Sequence, residues 1–165
     1  GGVYCHATGF KILMDCKVGR GTKALTTLKK IMPDSEKNSS ACSGAEPYVF
    51  TNCYSTNPGY YGKSYQSWTT GTSVWCLMGL YEGIMGIKRD YYGLKIEPCM
   101  PKEWAQAEMT RHFRQADYHI VIYNPGHLEK GKTSISVDGK LCESKVIPDF
   151  RDGKTHEVEV RLFRN

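Results

Sequence analysis

The segment from Ser67 to Trp75 places hydroxyl side chains and a glycine directly before a strongly apolar run. The free backbone N–H groups in the first turn of a helix point outward and have positive dipole character. A glycine lets the backbone approach an anion closely, and threonine hydroxyls beside it add hydrogen-bond donors. Thr70 and Gly71 are therefore candidates for binding an oxyanion such as phosphate. The alternative is a plain N-cap, in which Thr70 or Thr72 only satisfies the start of the helix.

His6 and Glu46 are further candidates, each with a structural alternative. A lone histidine in an apolar segment, as His6 is, is more often a hydrogen-bonded core residue than a ligand. Glu46 stands at the end of a loop, where it is either a binding residue or a solvated carboxylate. The four tyrosines between residues 54 and 66 form an aromatic-rich segment. Such ordered loops often line carbohydrate sites, although packing on the protein's own surface is the commoner reason for them.

The elements that must position these residues change character half-way along the chain. Up to about residue 87 the apolar residues mostly follow a helical period. We expect a buried helix over residues 10–18, a second helix with Thr22 as its N-cap that stops before Pro33, and a deeply buried third helix over residues 70–86. Residues 34–44 are polar and rich in serine, so they are expected to form a loop.

After residue 90 the apolar residues alternate with polar ones, which predicts β-strands over residues 94–97, 118–123, 134–137 and 156–162. Asp138-Gly139 and Asp152-Gly153 are both expected to be hairpin turns. Four to six antiparallel strands are too few for a complete, independent sandwich of ordinary size. The pattern therefore predicts helices of one domain joined to the closing sheet of another.

Composition narrows the possible classes of protein. With 165 residues, 40% of them hydrophobic and 24% charged, the chain is typical of a globular protein. The basic residues that give a net charge of +5 are scattered, which argues against nucleic acid as a partner and suits an enzyme with an anionic substrate. No apolar run is long enough to cross a membrane, and nothing at the start has the pattern of a signal peptide.

The seven cysteines are odd in number and contain no C-x-x-C pair. Structural zinc sites need closely spaced pairs, and secreted disulfide scaffolds usually need an even count. We therefore expect reduced thiols, no metal site and a cytoplasmic location.

Several motifs together resemble the C-terminal part of the family 94 glycoside hydrolases, whose members are mainly inverting β-glycoside phosphorylases such as those of cellobiose, cellodextrin and chitobiose. The resemblance covers essentially the whole chain in the same order. The motifs are Gly1-Gly2-Val3-Tyr4-Cys5-His6, residues 13–21 with Gly19-Arg20-Gly21, Glu46-Pro47-Tyr48-Val49, residues 67–72, residues 86–101, Val137-Asp138-Gly139-Lys140 and Asp152-Gly153-Lys154.

This resemblance implies a mixed α and β fold. Residues 1–92 would supply the last helices of an (α/α) six-hairpin barrel, and residues 93–165 an antiparallel, jelly-roll-like β-sheet domain. It also implies that phosphate cleaves a β-linked gluco-oligosaccharide of the cellobiose or cellodextrin type, with inversion, to an α-sugar 1-phosphate. Inorganic phosphate would be the co-substrate, no cofactor would be needed, and the complete enzyme would be a homodimer.

The same resemblance assigns roles to single residues. His6, Thr70 and Gly71 match phosphate-binding positions, while Glu46 and Asn52 fall at sugar-binding positions. Asn52 stands where the family has a longer glutamine, which puts that contact in doubt. The family's general-acid aspartate and its phosphate-binding arginine would belong to sequence upstream of Gly1. The chain alone is therefore expected to be inactive, to need the remainder of the barrel as its partner, and to leave apolar helix faces exposed.

Two other functions are compatible with these patterns. The first is the phosphorylase-like tail of a cyclic β-1,2-glucan synthase, which shares the same motifs. The second is a non-catalytic carbohydrate-binding module, which the tyrosine-rich segment and the strands would favour.

Overall fold

The computed structural model describes residues 1–164 of the chain. Its helices are α1 (Cys5–Lys17), α2 (Gly21–Ile31), α3 (Ser40–Ser43) and α4 (Thr72–Met78), and α4 continues as a π-helical turn, Gly79–Ile84. The strands are β1 (Gly2–Tyr4), β2 (Cys53–Ser55), β3 (Ser64–Tyr65), β4 (Ile87–Arg89), β5 (Gly93–Ile96), β6 (Gln106–Phe113), β7 (Ala116–Tyr123), β8 (Lys132–Val137), β9 (Lys140–Cys142), β10 (Val146–Pro148) and β11 (Thr155–Phe163).

These strands form three sheets. A small sheet among the helices has the order β1-β2-β3, and a second one has the order β10-β5-β4. The largest has five strands in the order β6-β7-β11-β8-β9. All neighbours are antiparallel except β7 and β11, which are parallel. The predicted mixed fold with antiparallel-rich sheets is confirmed.

Two hydrophobic clusters form the core. One lies among the helices and is built on buried residues such as Ile12, Leu25 and Ile84. The other fills the space between the five-stranded sheet and the β10-β5-β4 sheet, where β7 and β11 each contribute every second residue. Trp104 packs against both clusters and so links the two parts of the chain.

The helices α1 and α4 approach each other closely. A Cβ atom on Gly9 would lie 2.4 Å from the Cβ of Trp75, so a larger residue at position 9 would force the helices apart. Close packing of this kind fixes where the start of α4 stands relative to α1.

Both apolar helices are less buried than the sequence predicts. Phe10 and Met14 in α1 are 46% and 50% exposed, and Val18 at its C-cap is 56% exposed. In α4, Val74 and Leu77 are 58% and 49% exposed. The prediction of deeply buried helices is therefore wrong, whereas the expectation that apolar helix faces stay exposed is confirmed.

The predicted N-cap of the second helix is also wrong. The helix begins at Gly21 with Arg20 as its N-cap residue, two positions before Thr22, and no side chain of its own segment caps it. Instead Glu129, from the β-rich part, accepts a hydrogen bond from the Thr22 backbone N–H at 2.8 Å, and the Thr22 hydroxyl accepts one from the backbone N–H of Lys102 at 3.0 Å. Tertiary contacts satisfy this helix start, which explains why a local pattern misassigns it.

Among the predicted turns and loops, Asp138-Gly139 is a hairpin turn as expected. Both residues have positive φ, and they join β8 to β9. Asp152-Gly153 is not a hairpin turn, because it connects β10 and β11, which belong to different sheets. The short helix α3 interrupts the predicted loop 34–44, and the tyrosine-rich segment contains β2 and β3.

No helix within residues 1–164 is long and apolar enough to cross a membrane. All seven cysteines are free thiols. The described residues contain no group of three or more histidine, cysteine or acidic side chains suited to a metal ion. The cytoplasmic location and the domain boundary after residue 92 stay predictions.

Candidate functional site

The β1-β2-β3 sheet brings three distant segments to one place. Tyr4, at the end of β1, pairs with Cys53 at the start of β2, and Cys53 pairs with Tyr65 at the end of β3. Because the pairs are antiparallel, the residues that follow β1, precede β2 and follow β3 all lie at the same end of the sheet. His6, Asn52 and the segment leading to Thr70 are these residues.

His6 lies in the first turn of α1, and its imidazole packs directly against the backbone of Gly71. A Cβ atom on Gly71 would be 2.8 Å from His6 Cε1 and 3.3 Å from Nδ1, which is too close for an ordinary contact. The ring is half-buried and lies among aromatic neighbours, with Tyr4 stacked at 5.7 Å and Trp75 at 6.4 Å between centroids. Position 71 therefore needs a glycine for steric reasons, since its φ of −83° suits any residue.

The Thr70 hydroxyl is the centre of a hydrogen-bond network. It donates to Asn52 Oδ1 at 3.0 Å, which leaves its lone pairs for the Thr72 hydroxyl at 2.8 Å and the Thr72 backbone N–H at 3.2 Å. Gly71, not a threonine, is the N-cap residue of α4, and it makes no side-chain cap. The plain N-cap alternative is therefore not what the structure contains, although Thr70 does satisfy one N–H of the first turn.

Asn52 is held from two sides. Its amide oxygen accepts from Thr70, and its amide nitrogen donates to Gln66 Oε1 at 2.9 Å. Its backbone carbonyl accepts from the Cys5 N–H at 2.8 Å, which joins it to the start of α1. Only one amide hydrogen of Asn52 is left for an external ligand, so the side chain is engaged mainly within the protein.

Glu46 lies beside an aromatic pair next to this network. Its Oε1 accepts a hydrogen bond from the indole Nε1 of Trp68 at 2.9 Å. That bond, followed by a backbone hydrogen bond of its own residue, holds the pKa of the Glu46 carboxyl below its usual value. Tyr48 packs edge-to-face on Trp68 at 6.4 Å, and both rings are largely exposed, at 73% and 67%. Exposed rings beside a polar cluster are suited to packing on the faces of sugar rings.

We call His6, Asn52, Gln66, Thr70 and Gly71 the His6–Thr70 cluster. Its imidazole, hydroxyl and amide groups supply hydrogen-bond donors, and the imidazole becomes a cation when protonated. No carboxylate belongs to the cluster. This set of groups can bind an oxyanion, but it contains no carboxylic acid of the kind that protonates the glycosidic oxygen in inverting glycosidases.

Of the five residues predicted for the site, His6, Thr70, Gly71 and Asn52 are brought together, whereas Glu46 hydrogen-bonds to Trp68 and to none of the other four. Gln66 and Trp68 are the additions that sequence reasoning missed. Both have positive φ, 54° and 70°, a conformation that non-glycine residues rarely adopt. No local sequence signal predicts this backbone conformation. The one signal that could have indicated Trp68 is its position as an aromatic residue among the hydroxyls of residues 67–73.

Residues 1–86 match the model of the glycosyl hydrolase 94 superfamily, catalytic domain. The chain is 40% identical to a solabiose phosphorylase of Paenibacillus borealis over 161 residues, which cover 96% of this chain and 21% of that protein. It is 34% identical to a 3-O-beta-D-glucopyranosyl-beta-D-glucuronide phosphorylase of the same organism, over 98% of this chain and 21% of that protein. It is 29% identical to an N,N'-diacetylchitobiose phosphorylase of Vibrio proteolyticus, over 98% of this chain and 20% of that protein.

The chain thus spans about a fifth of the length of these relatives. The family match includes every residue of the His6–Thr70 cluster and ends just before β4. The chain belongs to the glycosyl hydrolase 94 superfamily.

Proposed function

We propose that this chain is the part of an inverting β-glycoside phosphorylase that binds phosphate. In the proposed reaction a phosphate oxygen attacks the anomeric carbon of a β-linked gluco-oligosaccharide. The bond from that carbon to the glycosidic oxygen breaks, the oxygen takes a proton, and an α-sugar 1-phosphate is released. Phosphate takes the place of the water and general base of an ordinary inverting glycosidase.

The convergence of His6, Thr70 and Gly71 is the observation that carries this proposal. These three residues come from two segments that are 64 positions apart, yet the imidazole of His6 touches the backbone of Gly71. The contact suits a small ligand that is bound jointly by an imidazole, a hydroxyl and a backbone without a side chain. A phosphate ion is such a ligand.

Each residue has a distinct task in the proposed site. The Thr70 hydroxyl donates to Asn52 in the structure, and in the proposed complex it turns its hydrogen from Asn52 to a phosphate oxygen. The Thr72 hydroxyl and backbone N–H, which lie at its lone pairs, keep it in position. His6 adds a donor and, when protonated, a positive charge. Gly71 has no side chain, so it leaves room for the His6 imidazole and the phosphate. Fixed donors of this kind favour attack because they hold the anion in place before the reaction begins.

The proposal places the remainder of a helical barrel on the exposed faces of α1 and α4. Five large apolar residues there are 46% to 58% exposed, namely Phe10, Met14, Val18, Val74 and Leu77. Apolar faces of this extent mark a surface that another part of a protein covers. The proposed occupant is the rest of the same barrel, which would bring the general acid and the phosphate-binding arginine. The homodimer and the jelly-roll-like form of the β-sheet domain stay predictions.

The phosphorylase is favoured over the two alternatives. The relatives named above are phosphorylases, and a carbohydrate-binding module would have no need of an imidazole packed on a glycine backbone beside a threonine hydroxyl at a helix start. The named relatives act on different sugars. That the substrate is of the cellobiose or cellodextrin type is therefore a separate, more specific proposal than the phosphorylase activity.

Replacing Thr70 with valine tests the proposal in the protein at its natural length. Valine keeps the branched shape but removes the hydroxyl, and a hydrogen bond to a charged group contributes about 1.5–3 kcal/mol. We expect the apparent affinity for phosphate to fall about ten- to a hundredfold, with a much smaller change for the oligosaccharide. Thr70→Ser should restore most of the affinity. Thr69→Val is the matched control, because Thr69 is exposed and adjacent.

A second variant separates the proposal from a structural role. His6→Ala should weaken phosphate binding in the same direction and remove any dependence on protonation of the imidazole. The reverse reaction should weaken too, since the same groups hold the sugar 1-phosphate. If Thr70→Val lowers only the melting temperature and leaves phosphate kinetics unchanged, the Thr70 hydroxyl has only a structural role in its hydrogen-bond network and the proposal fails.

A further inference from the structure

A second group of polar residues lies far from the His6–Thr70 cluster in sequence, where β4 ends beside the turn between β6 and β7. We call it the arginine pocket. It is an open cavity of about 570 Å³ lined by Arg89, Asp90, Arg111, His112, Phe113 and Arg114. Its volume is within the range of sites for small organic ligands, about 300–1,000 Å³, and is larger than a single phosphate ion needs.

Arg111 forms one wall and is fixed without an ionic partner. Its guanidinium carbon lies 5.6 Å from the centre of the Tyr81 ring, in a cation–π contact. Its Nε atom is buried and has no hydrogen-bond partner among the described residues. A buried donor without a partner is costly, and an anion in the pocket would remove that cost.

Arg114 is also held before any ligand arrives. Its Nη1 donates to the Tyr91 carbonyl at 3.1 Å and to Asp149 Oδ2 at 2.6 Å, and its guanidinium lies over Phe113. Arg89 is exposed and has no carboxylate within ion-pair distance in residues 1–164. Arginine's planar fork of donors matches phosphate and carboxylate groups.

The acidic groups nearby do not cancel these charges. Asp149 pairs with Arg114, and Asp117 pairs with His112 at 2.8 Å. Asp90 is the one carboxylate lining the pocket, and it accepts the backbone N–H of Tyr92 at 3.1 Å. Two arginines, Arg89 and Arg111, therefore face one carboxylate, so the pocket favours an anion.

Two exposed aromatic rings extend from the turn between β4 and β5, which follows Asp90. Tyr91 and Tyr92 are 81% and 76% exposed and pack edge-to-face against each other, with centroids 5.1 Å apart. The Tyr91 backbone is tied to the pocket through Arg114. Exposed rings of this kind suit the apolar faces of sugars, whereas the guanidinium groups suit an oxyanion.

From this juxtaposition we propose that the arginine pocket binds a sugar that carries an oxyanion. Arg89 and Arg111 bind the oxyanion, and Tyr91 and Tyr92 pack on the sugar ring. The oxyanion is either the phosphate of a sugar phosphate or the carboxylate of a sugar acid, since both present the same planar pair of oxygens to a guanidinium. The proposal does not rest on the phosphorylase function.

Direct binding by titration calorimetry tests this in the protein at its natural length. Glucose 6-phosphate and glucuronate are the two probes, and whichever binds more tightly identifies the oxyanion. Arg89→Gln and Arg111→Gln should each raise the Kd for that probe about tenfold or more. Arg161→Gln is the matched control, because Arg161 is 62% exposed and lies over Tyr123 on another part of the sheet.

The remaining outcomes overturn the proposal. The pocket is not a site if neither probe shows saturable binding, or if Arg161→Gln weakens binding as much as the pocket variants do. A loss of binding in His6→Ala, with no effect of Arg89→Gln, would assign the probe to the proposed phosphate site instead. Arg89→Gln keeps the test interpretable if Arg111→Gln impairs folding, because Arg89 is exposed.

Discussion

The helical part of the chain and its β-rich part close their cores to different extents. In the β-rich part, β7 and β11 alternate strictly between buried and more exposed residues, and Tyr118, Ile120, Ile122 and Val160 are 0% exposed. In the helical part, α1 and α4 bury one face and leave large apolar side chains on the other. The proposed phosphate site lies in the part whose core is open. The difference indicates that β7 and β11 complete their core within the described residues, whereas α1 and α4 leave an apolar face uncovered.

The largest effect is expected from a cavity in the closed core. Ile120 is fully buried in β7, so Ile120→Ala should lower the free energy of unfolding by about 2–5 kcal/mol. Val121→Ala is the control, since its side chain is on the other face of the strand and less buried. Chemical denaturation measures both variants. Equal losses would mean that the core of the β-rich part is not closed in the way described.

A smaller effect is expected from the exposed face of α4. Leu77 is 49% exposed, and under the proposed arrangement the rest of the barrel covers it. Leu77→Gln should then destabilise the protein at its natural length by about 1–3 kcal/mol, because a polar group replaces buried apolar surface. Thermal unfolding checks this, with Leu77→Met as the control, because methionine keeps an apolar side chain of similar volume at the same position. No change in stability would show that solvent, not protein, faces Leu77.

A third substitution separates binding from stability within the open part. Gly71→Ala adds a methyl group 2.8 Å from His6 Cε1, so the imidazole must move, while the backbone is not strained. We expect the affinity for phosphate to fall about tenfold, equivalent to about 1.4 kcal/mol, with little change in melting temperature. Gly44→Ala is unsuitable as a control, because its φ of 74° would strain any side chain. Ala7→Ser on α1, next to His6, serves instead.

The smallest effect concerns pH and the β-rich part. His156 is buried, stacks on Phe150 at 3.9 Å, and lies between Asp138 at 2.8 Å and Asp152 at 3.1 Å. Burial lowers the pKa of His156, but hydrogen bonds to the two carboxylates outweigh it, and the net pKa is raised. The pKa of Asp138 is lowered, first by its hydrogen bond from His156, and that of Asp152 first by the backbone N–H of Lys154 and then by His156.

These shifts define a pH window. The contribution of His156 is complete below its unfolded pKa of about 6.5 and is lost as pH rises through the raised folded value. The contributions of the two aspartates are complete above about 3.9 and are lost as pH falls through their lowered values. Stability from this triad should therefore be greatest between about pH 4 and 6.5. His156→Gln should lower stability within this window and remove the decline above it in denaturation measured at several pH values, whereas His112→Gln, at an exposed histidine–aspartate pair, should change the profile less.

The sequence predicted three of the four helices and the strands β5, β7, β8 and β11, because these elements follow a local periodicity. The other seven strands, β6 among them, were missed. Strands over residues 118–123 and 156–162 and the Asp138-Gly139 turn follow from alternation and from the need for positive φ. The candidate residues could also be predicted from the sequence, since hydroxyls and a glycine before an apolar helix indicate a possible oxyanion site. Their number was not complete, because Gln66 and Trp68 adopt positive φ for reasons that lie outside their own segment.

What the sequence determined by itself is the pattern of strands and helices, the family, and a short set of polar candidates around residues 6 and 70. Tertiary structure alone decided that β7 and β11 are parallel, that Glu129 satisfies the start of α2, and that one face of α1 stays exposed. It also decided that His6 touches Gly71, across 65 positions of sequence. The physical reason is common to all four. Strand pairing, helix capping at a distance, burial and side-chain contact each depend on a partner far along the chain, and a local pattern carries no information about that partner.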